Sequence, residues 1–341
     1  MSVRDLIIVG AGPSGLSAAI AAKQRGLDYQ VLEQGVLVNS IHHFPPQMVF
    51  FTTPELLEIG GLPLVSPYDK PTRVEALRYY RKVVDTYDLQ IAFEETVTGV
   101  TKEAGEAGEA GGAGVEETVF AIETRSARGV RRVRHARAVI FAIGYFDHPV
   151  MLGVPGEDLP HVHHYYKEPH VHYRQRVIVV GGGNSAAEWC LELYRAGAHV
   201  TLVHRHEALK STIKYWVRPD IENRIKEGSV VARFDSVIKE IRPTSVVVAR
   251  GFQPSETEEI PADAVYLLTG YRADADLMCR AGIRLTEREA PVHDPNTFET
   301  NVPGLFVAGG AIAGVDTGTI FIENGRFHGE KIVETIARRL A

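Results

Sequence analysis

Two stretches of the chain carry the same order of apolar and polar positions. Residues 6–9 are an apolar, β-branched run, followed by closely spaced glycines, a segment rich in small residues and a second apolar run near residues 29–32. Residues 177–203 repeat that order, and both stretches predict strand, turn, helix, strand. An amphipathic pattern over residues 73–88 predicts a further helix, and the alternation across 89–145 predicts a small β-meander. The meander is interrupted at 102–114 by a low-complexity run of Glu, Ala and Gly, which cannot bury apolar surface and is expected to form a mobile hairpin tip. Further strands end at Ala142-Ile143-Gly144 and at Thr269-Gly270-Tyr271, and the chain closes with a strand, a glycine turn and a helix.

The two repeated stretches each carry G-x-G-x-x-G/A, at Gly10, Gly12, Gly15 and at Gly181, Gly183, Ala186. In that fingerprint the first glycine makes the tight turn and the second lets backbone approach a pyrophosphate. The third small residue lets helix and strand pack closely, and the helix N-terminus supplies positive partial charge. Gly10 to Gly181 and Glu33 to His204 are each 171 positions apart, so the units align without a gap. The ribose-facing position is therefore acidic in the first unit and basic in the second. A carboxylate at Glu33 accepts from ribose hydroxyls and repels a 2′-phosphate, which suits the adenosine of FAD or NAD. His204, Arg205 and nearby Lys210 can attract a 2′-phosphate, which suits NADPH. Candidate residues of this first dinucleotide site are Gly10, Gly12, Pro13, Ser14, Gly15, Glu33 and Gln34, with Val97, Gly144, Gly309, Gly310 and Ile320 expected to border the same cofactor. The NADPH candidates are Gly181, Gly183, Asn184, Ser185 and Ala186, then His204, Arg205, Lys210 and Lys214, with Gly270 at the strand end.

Paired strand-end signatures predict an α/β fold of two Rossmann-like dinucleotide-binding domains, the second inserted in the first. The boundaries expected are 1–148 plus 277–341 for a discontinuous FAD domain and 149–276 for the NADPH domain. The 341 residues suffice for two cores, and 45% hydrophobic with 23% charged residues is ordinary for a globular protein. A net charge of −6 gives no general reason to expect nucleic acid. No apolar stretch is long enough for a transmembrane helix, and the first residues already enter a strand, so a cytoplasmic location without signal peptide is expected.

Cys190 and Cys279 are the only cysteines and cannot form C-x-x-C or a zinc site. Cys190 is expected to be a buried residue of the second Rossmann helix. His161, His163, His164, His170 and His172 are dense enough to raise a metal site, but only Glu168 accompanies them, and aromatic and imidazole packing near the nicotinamide entrance is the preferred reading; no metal is assigned. Six arginines between Arg125 and Arg137 are expected mostly to face solvent, with a docking patch for an acidic partner as the alternative.

The motifs "IIVGAGPSGLSAA", "AIGY", "VIVVGGGNSAAE", "LVHR" and "GLFVAGG" give the chain a resemblance to the low-molecular-weight thioredoxin reductase superfamily along nearly its whole length. "FFTTPELLEIGGLP", "HHYYKEPHVHY" and "TGTIFIENGRFHG" resemble one branch, the YpdA-type flavoproteins proposed to reduce bacillithiol disulfide. The resemblance implies an NADPH-dependent flavoprotein that passes a hydride to FAD and then electrons to a disulfide or another acceptor, a small molecule or a protein, as a homodimer or homotetramer. Three departures qualify it. The region before the second Rossmann strand has no C-x-x-C, which excludes thioredoxin reduction. The superfamily's Gly-Asp after "FVAG" is Gly309-Gly310, a loss the branch shares. The branch's turn cysteine is Ser14, a residue that can occupy the catalytic position but cannot form a mixed disulfide. A ferredoxin or flavodoxin NADP reductase and a non-catalytic flavin-containing NADPH sensor are the competing readings.

Overall fold

The computed structural model describes residues 3–104, 118–251 and 256–340. The low-complexity tip expected at 102–114 falls mainly on residues 105–117, outside the described residues; the flanking strands Glu95–Ala104 and Thr118–Ser126 pair antiparallel. The chain forms two compact units, one of Met1–His148 with Tyr271–Ala341 and one of Pro149–Gly270. The return to the first unit thus comes at residue 271 and not at 277. The reason is packing: Ala273 and Leu277 are buried in a core with Ile7, Val9 and Phe141 of the first unit.

The first unit is built on a sheet with the strand order Ile91–Ala92, Tyr29–Leu32, Val3–Val9, Arg131–Phe141, Thr118–Ser126, Glu95–Ala104. Leu305–Val307 joins the C-terminal half of Arg131–Phe141 in parallel, while the N-terminal half of that strand pairs antiparallel with Thr118–Ser126. Parallel strands covered on both faces need apolar side chains at every position. Leu6 and Ile8 accordingly enter one core, with the helix Pro13–Gln24 and the C-terminal helix His328–Leu340, and Ile7 and Val9 enter the other. The helix Arg73–Tyr87 begins with a capping box between Thr72 and Glu75, which satisfies two donors at its start.

The second unit has a parallel sheet ordered Val230–Arg233, His199–Val203, Arg176–Val180, Ala264–Leu267, Val162–His163, and a separate antiparallel sheet of Ser236–Arg242, Ser245–Arg250 and Thr257–Pro261. The repeat is kept in hydrogen bonds as well as in sequence. Leu6 pairs with Tyr29 and Val9 with Leu32; Val177 pairs with Val200 and Val180 with Val203, each residue 171 positions on. Gly10 N–H donates to the Leu32 carbonyl at 2.8 Å, and Gly181 N–H to the Val203 carbonyl at 3.0 Å.

Several side chains differ from the sequence expectation or add to it. Arg125, Arg128, Arg131 and Arg132 are exposed, but Arg134 and Arg137 turn inward. Arg134 donates Nε and Nη2 to the two oxygens of buried Glu95 at 2.9 and 2.8 Å, and Arg137 donates to Asp5 at 3.1 Å. A buried carboxylate must be paired, which is what draws Arg134 off the solvent face. Cys190 is buried, and burial pushes its thiol well up; Cys279 is exposed. His172 bonds Gln175 and the Tyr266 hydroxyl, both at 2.7 Å, while Tyr166 stacks on Trp189 at 4.7 Å, so the His-rich segment joins the aromatic core of its unit. Among the described residues no helix is long and apolar enough to cross a membrane.

The helices Pro13–Gln24 and His328–Leu340 meet where Gly329 faces Ala18, and a Cβ at 329 would stand 2.7 Å from the Ala18 Cα. That neighbour is backbone and cannot step aside. Gly329→Ala should therefore cost about 1–3 kcal/mol and lower the thermal unfolding midpoint by several degrees, measured by circular dichroism against the wild type.

Candidate functional site

The dinucleotide turns begin where each first strand ends. Gly10 (φ +106°) and Gly181 (φ +150°) adopt backbone that L side chains rarely take, and a Cβ on either would collide with a carbonyl, of Ala142 in the first unit and of Leu268 in the second. At the third position a Cβ on Gly15 would run into the Gly10 carbonyl, whereas the second unit accommodates Ala186 there. Gly12 and Gly183 are different. Both are extended, and nothing lies within 4 Å of where their Cβ would be. Packing inside the protein does not require glycine at these two positions, so a side chain would fill only the open cradle above the turn. No side chain caps the helices that follow, Pro13–Gln24 and Asn184–Arg195, so N–H groups of their first turns remain as donors for a pyrophosphate. Ser185 is half-buried in the same first turn. The residues present fit a dinucleotide in each unit.

The ribose positions are built from the same framework with opposite chemistry. Glu33 is buried and accepts from Ala11 N–H at 2.8 Å and Gly35 N–H at 2.9 Å. Burial pushes its carboxyl up, and the two backbone donors oppose that. The counterpart of Ala11 is Gly182, and there the His204 ring lies where a Cβ would stand, so residue 182 must be glycine. His204 is buried, its Nε2 meets no partner among the described residues, and burial followed by the charges of His206, Arg205 and Lys210 lowers its pKa. His204 thus lies beneath the turn, while Arg205 and Lys210 are exposed. The Lys214 ammonium pairs with Glu188 at 2.6 Å and is mostly buried. Asn184 accepts from Lys214 N–H at 2.8 Å and fastens the 210–214 loop to the helix start.

In the first unit the closing segment returns to the same corner. Ser14 donates its hydroxyl to the Gly325 carbonyl at 3.1 Å, and it occupies the space a Cβ on Gly309 would need. The Gly309 and Gly325 backbones thus both lie against Ser14. A Cβ on Gly310 would stand 2.6 Å from the Tyr145 ring, one residue past Gly144, and Ile320 places a methyl 3.6 Å from the Cβ position of Gly325. Val97 is buried in the core beside Ile7, Val9 and Leu32. Sequence reasoning missed Tyr145 and His328. His328 is buried, accepts from Gly309 N–H through Nδ1 at 3.1 Å and stacks on Phe298 at 4.2 Å. The only signal for either was its neighbour: Tyr145 follows the strand-end glycine, and His328 lies in "GRFHG".

Burial, with Lys331 and His293 adding to it, lowers the His328 pKa to about 4 from an ordinary 6.5. As pH falls below the unfolded value, the unfolded chain takes a proton that the native chain refuses. The stability from this group is full above about pH 6.5 and is lost progressively toward about pH 4, where protonated Nδ1 can no longer accept from Gly309. His328→Asn should show a shallower loss over that window, measured as urea midpoints across pH.

Residues 7–309 match the pyridine nucleotide-disulphide oxidoreductase family. Bacilliredoxin reductase Bdr of Bacillus subtilis (strain 168) is 39% identical over 334 residues, covering 98% of this chain and 97% of that protein. A ferredoxin–NADP reductase of Ignicoccus hospitalis is 28% identical over 313 residues, covering 90% of each. Among solved structures, bacillithiol disulfide reductase Bdr (YpdA) from Bacillus cereus superimposes with a TM-score of 0.91 at 35% identity, over 99% of this chain and 100% of that one. The Staphylococcus aureus protein of the same description gives 0.90 at 34% identity over the whole of both chains. With its two glycine cradles and a family match from the first strand to the last glycine turn, the chain belongs to the pyridine nucleotide-disulphide oxidoreductase family and is a flavoprotein oxidoreductase.

Proposed function

We propose that this protein uses NADPH, held by the second unit, to reduce FAD held by the first, and that its acceptor is a disulfide of the bacillithiol type. The observation that carries the reading is the repeat itself. Two turns that share the strand-end hydrogen bond of their first glycine lead to a buried carboxylate at Glu33 in one case and to buried His204 with exposed Arg205 in the other. In the overall reaction NADPH gives up a hydride, one S–S bond breaks, and a solvent proton completes the second of two thiols. Bound FAD supplies the two-electron relay between nicotinamide and disulfide. The chain's own residues hold the parts: the Gly10–Gly15 turn and Glu33 hold the adenosine end of FAD, and Ser14, Gly309 and His328 lock the corner formed by the closing segment.

Neither position 14 nor Cys190 supplies a sulfur to the relay. Ser14 has no thiol, and burial of Cys190 keeps that thiol protonated. Electrons therefore pass from the cofactor to the disulfide without a mixed disulfide at position 14. A second reading, ferredoxin as acceptor, is favoured by exposed Arg125, Arg128 and Arg131 around the 126–131 hairpin turn and by the ferredoxin–NADP reductase relative. We also propose a homodimeric or homotetrameric assembly, which the exposed apolar side chains Phe51, Leu56 and Phe321 support.

Anaerobic mixing should show NADPH bleaching the flavin faster than NADH, and bacillithiol disulfide restoring its colour; restoration by ferredoxin alone would replace the first acceptor with the second. Arg205→Ala should raise half-saturation by NADPH about tenfold and leave NADH within about twofold, whereas equal losses would make Arg205 a structural residue.

Ser14→Cys separates the two routes to the disulfide. If electrons pass directly, wild type already reduces bacillithiol disulfide and the variant changes kcat/KM by less than about tenfold. Activity confined to the variant would mean that the natural acceptor is another compound.

A further inference from the structure

The first site contains a second carboxylate that the proposed function does not yet use. Asp147 lies three residues past Gly144, and its Oδ2 accepts from Gln34 Nε2 at 2.8 Å. Gln34 directly follows Glu33, and in the 171-residue repeat its counterpart is Arg205. Where the second unit offers an exposed guanidinium, the first offers an amide already committed to a carboxylate. Asp147 is also close enough to act on Glu33, since its charge adds to burial in pushing the Glu33 carboxyl up. His43 and His148 face Asp147 and partly offset its own burial.

We propose that Asp147 is a specificity-determining residue of the first site: with Glu33 it gives the ribose pocket two carboxylates, which repel any dinucleotide bearing a 2′-phosphate and so confine NADPH to the second unit. Glu33 by itself reads ribose hydroxyls through hydrogen bonds. Asp147 works through charge beside Gln34, the counterpart of Arg205 in the other unit, and through the hydrogen bond that engages the Gln34 amide. Discrimination of this kind comes from a repulsive element as much as from an attractive one. The inference rests on reading the first site as the FAD site.

The full-length protein, freed of FAD by dialysis, would be allowed to rebind FAD in the presence of ADP-ribose or of 2′-phospho-ADP-ribose, with rebinding followed by quenching of flavin fluorescence. In the wild type the phosphorylated competitor should be weaker by about a hundredfold. Asp147→Asn should reduce that ratio about tenfold while ADP-ribose itself changes by less than about threefold. Asp147→Ala, which removes the same charge, should reduce the ratio in the same direction and serves if Asp147→Asn does not fold. A ratio that falls by less than about threefold in the folded variants overturns the role of Asp147. Failure of the wild type to rebind FAD at all overturns the FAD reading of the site, which is a separate outcome.

Discussion

The contact on which the rest depends is that of an α-carbon against a carbonyl, made once in each unit. Gly10 presses on the Ala142 carbonyl and Gly181 on the Leu268 carbonyl. Each contact ties the end of the first strand to the end of the strand on which the chain crosses between units. Because no side chain intervenes, the turn can fold sharply over the sheet edge and leave the following glycine facing open space. The helix N-terminus, the ribose residue and the closing segment are all placed from that point.

Given one framework, the two sites differ by what stands beneath and beside the turn. Under the first is a carboxylate held by two amide donors; under the second is an imidazole packed against Gly182. A buried charge must be compensated, and Glu33 is compensated by backbone. The buried imidazole avoids the same cost by remaining neutral. The positive charge then has to come from the next residue, and Arg205 can supply it because it lies outside the core. Polarity at these positions follows from burial as much as from residue type.

The corner closed by the C-terminal segment is held in a different way. Gly309 and Gly310 leave room that is taken by Ser14 and Tyr145, while His328 receives the Gly309 N–H. The turn is thereby fixed by side chains from three distant segments. A hydroxyl at position 14 cannot form a mixed disulfide, and it makes the hydrogen bond that clasps the closing segment to the first helix.

Local pattern determined much of this protein. Unbroken apolar runs specified parallel strands, the glycine spacing specified both turns, and the constant offset of 171 fixed the repeat and its pairing register. These features arise from steric and hydrogen-bonding rules that act over a few residues, so they are legible in order alone. The return to the first unit at residue 271, the inward turn of Arg134, the neutrality of His204 and the pairing of Lys214 with Glu188 were not legible. Each depends on how deeply a group is buried and on which partner from elsewhere in the chain reaches it. Ser14 meets Gly325 across 311 positions, and no periodicity carries information over that distance. The sequence determined which backbone could bend and where; only the tertiary structure decided which charges remain exposed to a ligand, because desolvation is a property of the assembled surroundings.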